Sequence, residues 1–336
     1  MSNLLYIGNK LSDHGYTSTS IETLGSFLEA EGFTVYYASS QKNIFLRMLE
    51  MVFATLRYAK KVDYVLIDTY STKNFWYAFI ISQLCRLLNV KYIPKLHGGD
   101  LPNRLQKSPY WCDLIFKNAY QNIAPSPYLY EAFKHKGYRN LIHIPNTIEL
   151  EKYDFQARNF DVPKILWVRS FSQIYNPILA VKVLLELKKK FPAAQLCMVG
   201  PKKDESYDAT VAYAKENAVE VCFTGKLTKA EWTNLSKDYN LFLNTTHFDN
   251  TPVSVIEAMA LGLPVVSTNV GGIPFLLQHQ ENALLVDDND LEAMVFQIER
   301  LFSEPKLSDF LVANAYKMVQ GFDWNIIRKQ WTDLLR

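Results

Sequence analysis

Short runs of β-branched and aromatic residues alternate with segments of helical period from one end of the chain to the other, and this alternation is what most limits the fold. An apolar run followed by an apolar repeat every three to four residues is a strand followed by a helix, and a series of such pairs builds parallel sheets. In the first half the pattern gives strands over Leu4–Gly8, Thr34–Ala38, Tyr64–Asp68, Lys91–Leu96, Asn122–Ala124 and Leu141–Ile144. In the second half it gives Lys164–Val168, Gln195–Val199, Glu220–Phe223, Leu241–Asn244, Pro264–Ser267 and Ala283–Val286. The expected fold class is therefore α/β with two Rossmann-like domains, one over residues 1–155 and one over residues 160–320. A chain of 336 residues with 49% hydrophobic content is large enough for two cores. The seam is placed at Glu149–Val162, where charge and polarity, and then Pro163, interrupt the periodic pattern. Trp324, Ile327, Trp331 and Leu334 form an apolar stripe that predicts a last helix.

Charge and cysteine usage narrow the functional classes. A formal net charge of +2 argues against a nucleic-acid protein built on a large basic surface. Cys85, Cys112, Cys197 and Cys222 occur singly in apolar surroundings, without metal-ligand spacing, and read as core thiols in a reducing compartment. The N-terminus lacks the basic, apolar and small-residue order of a signal peptide, so a cytoplasmic protein is expected. The uncharged run Ala258–Gln280 is broken by Gly262, Pro264, Gly271, Gly272 and Pro274, and the apolar stretch Asn74–Cys85 is too short to cross a bilayer.

Chemistry concentrates in Phe248–Gly272, FDNTPVSVIEAMALGLPVVSTNVGG. Asp249 and Glu257 lie on either side of Thr251-Pro252, in which Thr251 suits a helix N-cap and Pro252 the first helical position. A helix thus begins between two carboxylates. Its first turn directs backbone N–H groups and a positive dipole end outward, an arrangement suited to phosphate. Gly262 and Pro264 then stop the helix and release a buried strand.

An acidic residue, seven residues, a glutamate, Ala-Met-Ala, a Gly-x-Pro-Val-Val strand and a final Gly-Gly together resemble the signature of retaining nucleotide-sugar glycosyltransferases of family four. The first acidic residue here is Asp249, where most relatives carry Glu. The resemblance is good across residues 163–335 and looser across residues 1–150, the half that receives the acceptor in that family. It implies a GT-B architecture, two Rossmann-like domains facing across a cleft, with the C-terminal helix 323–336 returning to the first domain. It also implies that Asp249 faces the transferred sugar, that Glu257 accepts hydrogen bonds from the ribose hydroxyls, and that the helix opening at Asn250, Thr251, Pro252 and Val253 holds the donor.

Three further segments add candidates. Arg169 ends the strand ILWV at its carboxyl edge, where open parallel sheets bind ligands, and relatives hold the pyrophosphate with an Arg near there and a Lys several residues later. At the Lys position this chain reads Ile174-Tyr175-Asn176-Pro177, which leaves Lys226 as a weak substitute. In the first domain, KYIPKL runs into His97-Gly98-Gly99-Asp100. Gly98 and Gly99 let backbone approach an acceptor, His97 can donate to a sugar hydroxyl or phosphate oxygen, and Asp100 can fix its tautomer or bind acceptor. A histidine at this strand end is also a family active-site feature, and a glycine-rich loop near the diphosphate corresponds to Gly15 here. Finally, Asn43–Lys61 places Ile44, Phe45, Met48, Leu49, Val52 and Phe53 alongside Arg47, Arg57, Lys60 and Lys61. Such a helix either packs by its apolar face or rests peripherally on anionic lipid.

The function expected is transfer of a sugar from a nucleotide-diphosphate sugar to a glycan or lipid-linked acceptor, with retention, in polysaccharide or glycolipid synthesis. No metal or cofactor is expected, because Asp287-Asp288-Asn289-Asp290, the nearest acidic cluster, sits where a helix cap is needed. Two rival readings share the architecture: a nucleotide-sugar epimerase, which converts donor alone, and a silent sugar-nucleotide-binding protein.

Overall fold

Strands form at all twelve predicted positions among the described residues, 2–14 and 19–336 of this computed structural model. The chain divides into two units, Met1–Pro145 with Ile327–Arg336, and Asn146–Ile326. The division precedes the segment 149–162 in which the sequence places a seam. That segment already belongs to the second unit: Gln156 N–H donates to the Leu261 carbonyl, and Arg158 donates to the carbonyls of Ser236, Tyr239 and Leu261.

In the first unit β1 (Asn3–Ile7), β2 (Thr34–Ala38), β3 (Tyr64–Thr69), β4 (Lys91–Leu96), β5 (Asn122–Ala124) and β6 (Leu141–His143) alternate with helices. These are α1 (Ser20–Ala30), α2 (Ile44–Tyr58), α3 (Phe75–Leu87), α4 (Leu101–Lys107), α5 (Pro109–Phe116) and α6 (Pro127–His135). The sheet is parallel in the order β2-β1-β3-β4-β5-β6. Its centre reads as nearly continuous apolar sequence because both faces are covered; Tyr64–Thr69 is buried at every position.

The second unit carries β7 (Lys164–Val168), β8 (Gln195–Val199), β9 (Cys222–Gly225), β10 (Leu241–Asn244), β11 (Val265–Thr268) and β12 (Leu284–Val286), again parallel, in the order β12-β11-β10-β7-β8-β9. Its helices are α7 (Pro177–Lys190), α8 (Ser206–Glu216), α9 (Lys229–Leu235), α10 (Val253–Ala260), α11 (Ile273–Leu276), α12 (Leu291–Ser303) and α13 (Pro305–Val319). The last helix, α14 (Trp324–Leu335), begins in the second unit and ends in the first, where Ser2 Oγ donates to the Leu335 carbonyl at 2.5 Å. Its buried stripe is Trp324, Ile327, Trp331 and Leu335, so the spacing ends on Leu335 in place of the expected Leu334.

Local rules explain the element ends. Pro109, Pro127, Pro177 and Pro305 open α5, α6, α7 and α13, where a missing N–H leaves no hydrogen bond unmade. Gly262, at φ +76°, ends α10: its N–H donates to the Met259 carbonyl while that of Leu263 donates to the Ala258 carbonyl, the paired bonds of a left-handed C-terminal cap. Three of the four cysteines are buried, but Cys222 is exposed, because it opens the edge strand β9. That corrects its reading as a core thiol.

Candidate active site

Each sheet reverses its strand order at one point, and an open parallel sheet binds ligands outside the carboxyl ends of its strands there. In the second unit the reversal falls between β7 and β10, which pair directly. Arg169 follows β7, and Asp249 lies on the loop after β10. The sheet order therefore brings together two residues eighty positions apart, and they form an ion pair with Arg169 Nη2 donating to Asp249 Oδ2. Both side chains are largely buried, 13% and 16% exposed, so the pair is shielded from the screening that weakens surface pairs.

Two backbone contacts fix the pair. Asp249 Oδ1 accepts the Asn250 N–H at 2.7 Å, and the Asp249 carbonyl accepts the Gly272 N–H at 2.8 Å. A Cβ on Gly271 would lie 2.4 Å from the Asp249 carbonyl oxygen, and one on Gly272 would lie 2.1 Å from that of Asn250. The final Gly-Gly of the motif is thus required by backbone packed directly on the Asp249 loop. Beneath the guanidinium lies the Tyr175 ring, 4.8 Å from Arg169 Cζ. Tyr175 stands in the stretch where a second cation was sought, and here it supports the first one.

Helix α10 starts one residue later than predicted. Pro252 is the N-cap, with ψ 114°, and Val253 is the first helical residue; Thr251 is not the cap. An extended ψ at Pro252 turns the chain into the helix without a capping side chain. Asn250 and Pro252 are buried, while Thr251 and Val253 are half-buried. Ser254 Oγ, in the first turn, and Arg169 Nε are buried with no hydrogen-bond partner among the described residues.

Glu257 follows one turn on and is only 4% exposed. Its Oε1 accepts from Tyr153 Oη at 2.7 Å and from Lys229 Nζ at 2.7 Å. A buried carboxylate requires such partners, since desolvation of an unpaired charge is strongly unfavourable. Burial, and then the Glu257 charge, push the Tyr153 phenol well above its ordinary pKa, so the hydroxyl stays a donor. Neither partner was identified from the sequence. Tyr153 hides in the segment read as a seam; Lys229 opens α9 just behind the capping box Thr228/Glu231, which was the available signal. On the role that the family resemblance implies for Glu257, Tyr153→Phe should weaken nucleoside-diphosphate binding about tenfold, because a hydrogen bond to a charged group is worth about 1.5–3 kcal/mol and Glu257 then loses its fixed rotamer. Calorimetry of parent and variant checks this, and equal affinities would reject it. Lys226 follows β9 directly and is exposed.

In the first unit the order reverses between β1 and β3. His97 follows β4 beside this point, and its Nε2 contacts Asp68 Oδ1 at 2.8 Å while its ring stacks on Tyr70 at 5.1 Å. The carboxylate that fixes the tautomer is thus Asp68, at the end of β3, and the expected partner Asp100 is elsewhere: it precedes α4 and accepts from Asn103 Nδ2 at 3.1 Å. Asp68 is buried, also accepts from Tyr6 Oη at 3.1 Å, and leaves no room at Gly8, where a Cβ would lie 2.6 Å from Asp68 Oδ2. Lys95 is buried in the same cluster, donating to Ser20 Oγ at 2.7 Å, and burial pulls its pKa down to about 8. Burial and then Lys95 hold His97 below its ordinary value against the opposing pull of Asp68, so the imidazole is neutral at pH 7. With Nε2–H given to Asp68, its Nδ1 is an acceptor. Gly98 adopts φ +79°, and a Cβ there would meet only Ser71 Oγ at an ordinary 3.8 Å, so backbone conformation is what demands glycine there; Gly99 follows in the same turn. Gly15 lies outside the described residues.

Two carboxylates of the acidic cluster are engaged. Asp290 caps α12 by accepting the Ala293 N–H at 2.9 Å, and Asp288 pairs with His247 Nδ1 at 2.7 Å.

The family described as glycosyl transferases group 1 matches residues 151–318. An uncharacterized glycosyltransferase of Haemophilus influenzae is 28% identical over 156 residues, 46% of this chain and 44% of the relative, so the match spans less than half of that relative's length. Among solved structures, the sucrose-phosphate synthase of Thermosynechococcus elongatus superposes with a TM-score of 0.82 at 19% identity, covering 99% of this chain and 98% of its own. Anabaena HepE, solved in complex with UDP-glucose, superposes with a TM-score of 0.78 at 17% identity, covering 100% and 99%. These likenesses establish the fold, two Rossmann-like domains of GT-B type.

Proposed function

The chain belongs to the glycosyl transferases group 1, and on that premise we propose that it transfers a sugar from a nucleoside-diphosphate sugar to a glycan or lipid-linked acceptor, with retention of anomeric configuration and without a divalent metal. The observation that carries the reading is the Arg169–Asp249 pair at the order reversal of the second sheet, with Glu257 one helical turn beyond. Sugar transfer releases a diphosphate that gains negative charge as the glycosidic bond breaks, and catalysis requires positive charge placed in advance where that charge develops. Arg169 and the N-terminal end of α10 supply it. A phosphate oxygen also offers the acceptor that Arg169 Nε and Ser254 Oγ lack among the described residues. Glu257, held by Tyr153 and Lys229, has the rotamer and charge to accept from the ribose diol.

Asp249 is the carboxylate nearest this fixed charge, and the proposal sets it against the transferred sugar. His97 acts as an acceptor through Nδ1, which suits a hydroxyl of the sugar substrate. Retention then proceeds on one face, with the departing phosphate taking the proton of the attacking hydroxyl. That Anabaena HepE binds UDP-glucose makes a UDP-sugar the first donor to test.

Incubation with UDP-sugars, with and without candidate acceptors, should release UDP in an acceptor-dependent manner, and the product should keep the donor's anomeric configuration by NMR. Turnover of donor alone into a second nucleotide sugar would make the protein an epimerase; donor binding with no turnover against any acceptor would make it a binding protein. EDTA should leave the rate within about twofold, because fixed charge replaces the Lewis acid. Abolition by EDTA with recovery on adding magnesium or manganese would overturn the metal-free reading.

A further inference from the structure

Helix α2 packs by one side of its apolar arc and turns the other side outward. Its buried residues are Arg47, Met51 and Thr55, whereas Phe45 is 78% exposed, Phe53 66%, Leu46 53%, Leu49 51% and Leu56 50%. At 3.6 residues per turn these five side chains fall within an arc of about 100°, along a helix about 22 Å long. This is one continuous stripe. Arg47 explains how the opposite face can be buried: its Nη1 donates to the Gln41 carbonyl at 3.1 Å and its guanidinium lies over the Tyr77 ring at 5.6 Å. The packing reading of this helix holds for one side only: Met51 is buried in the core with Met48, Val52, Ala54 and Tyr58 against it, whereas Phe45, Leu46, Leu49, Phe53 and Leu56 stay exposed.

We propose that the α2 face of the first unit docks onto an anionic lipid surface. The charges around the stripe choose the occupant. From residue 42 to 61 the exposed ionisable groups are Lys42, Arg57, Lys60 and Lys61, all cationic. The half-buried Glu50 is engaged by the N–H groups of Ser40 and Gln41, and the exposed Asp63 lies beyond the helix. Helix α3, which packs on α2, carries exposed Trp76, and α5, which packs on α3, carries exposed Tyr110 and Trp111, with Trp76 and Trp111 in edge contact at 5.7 Å; these ring types favour the headgroup level of a bilayer. An apolar stripe with cations at both ends lies in the interface by inserting the stripe and pairing the cations with lipid phosphates. No described helix is long and apolar enough to cross a membrane.

Co-sedimentation with vesicles of phosphatidylcholine and phosphatidylglycerol tests this. The protein should pellet with vesicles containing phosphatidylglycerol at low salt, and release as the Debye length contracts to about 8 Å at physiological ionic strength. The double variant Phe45→Ser/Phe53→Ser should lower partitioning at least about tenfold, the loss of two inserted rings, with its unfolding temperature unchanged because both rings are exposed. Lys60→Gln/Lys61→Gln should weaken binding to phosphatidylglycerol vesicles in particular. Absence of binding at low salt, or binding untouched by the serine variant, would overturn the proposal. So would a serine variant that changed only the lipid-free oligomeric state, which would assign the face to a second copy of the chain.

Discussion

Arg169→Ala is expected to lower the affinity for UDP by about ten- to a hundredfold, as measured by calorimetry. A charge-assisted hydrogen bond to phosphate is worth about 1.5–3 kcal/mol, and the guanidinium presents its donors in a rigid fork that an ammonium cannot copy. The geometry adds a second loss. Removing Arg169 leaves Asp249 largely buried without its cation, and this uncompensated carboxylate then repels the diphosphate. Arg169→Lys separates the two effects: it keeps the charge opposite Asp249, so it should recover part of the affinity. The double variant Arg169→Ala/Asp249→Ala should bind UDP better than Arg169→Ala alone, a non-additivity that residues in direct contact show. Equal affinity of Arg169→Ala and the parent would remove Arg169 from the site.

The parts of the site that the sequence reveals are those whose chemistry is local. Cap, helix, glycine stop and strand are neighbours in the chain, so Asp249, Glu257 and the Gly-Gly stood out together, and the strands stood out because each buried run is bounded by turn residues. What stayed hidden depends on strand order. Asp68 and Lys95 lie inside apolar strands, YVLIDT and KYIPKL, and become neighbours of His97 only because β3 and β4 pair in register, Asp68 beside Lys95. Periodicity likewise shows which residues of α2 share a face, but not which part of it is inward; a buried Arg47 with its own hydrogen bond and ring partner takes space on the inner side, and part of the apolar arc is left outward.

Tyr153 illustrates a third limit. Its segment has no helical or strand period, and it is ordered by tertiary bonds such as the one its hydroxyl donates to Glu257. Irregular backbone of this kind carries no repeating signal in sequence. Yet it positions the carboxylate proposed to recognise ribose, which fits the general placement of binding residues on loops held by a rigid scaffold.

Asp249→Asn should separate catalysis from binding more sharply than any other substitution. In the free protein its carboxylate neutralises Arg169, and the pair is held by the Asn250 N–H and by the glycine backbone behind it. Asparagine keeps the shape and removes the charge. Arg169 is then freed for the diphosphate, so UDP should bind as tightly as in the parent or more tightly. Turnover should fall by about 10²–10³, the range seen when one preorganised electrostatic contact to the transition state is lost, because positive charge developing at the anomeric carbon no longer meets a carboxylate. A drop in kcat with unchanged or improved UDP affinity is the signature of a contact made chiefly in the transition state. Asp249→Glu should also lose activity. The carbonyl of residue 249 is fixed against Gly271 and Gly272, so an added methylene has to move the carboxylate away from its position opposite Arg169. Full activity in Asp249→Asn would show that Arg169, and not the sugar, is all this carboxylate serves.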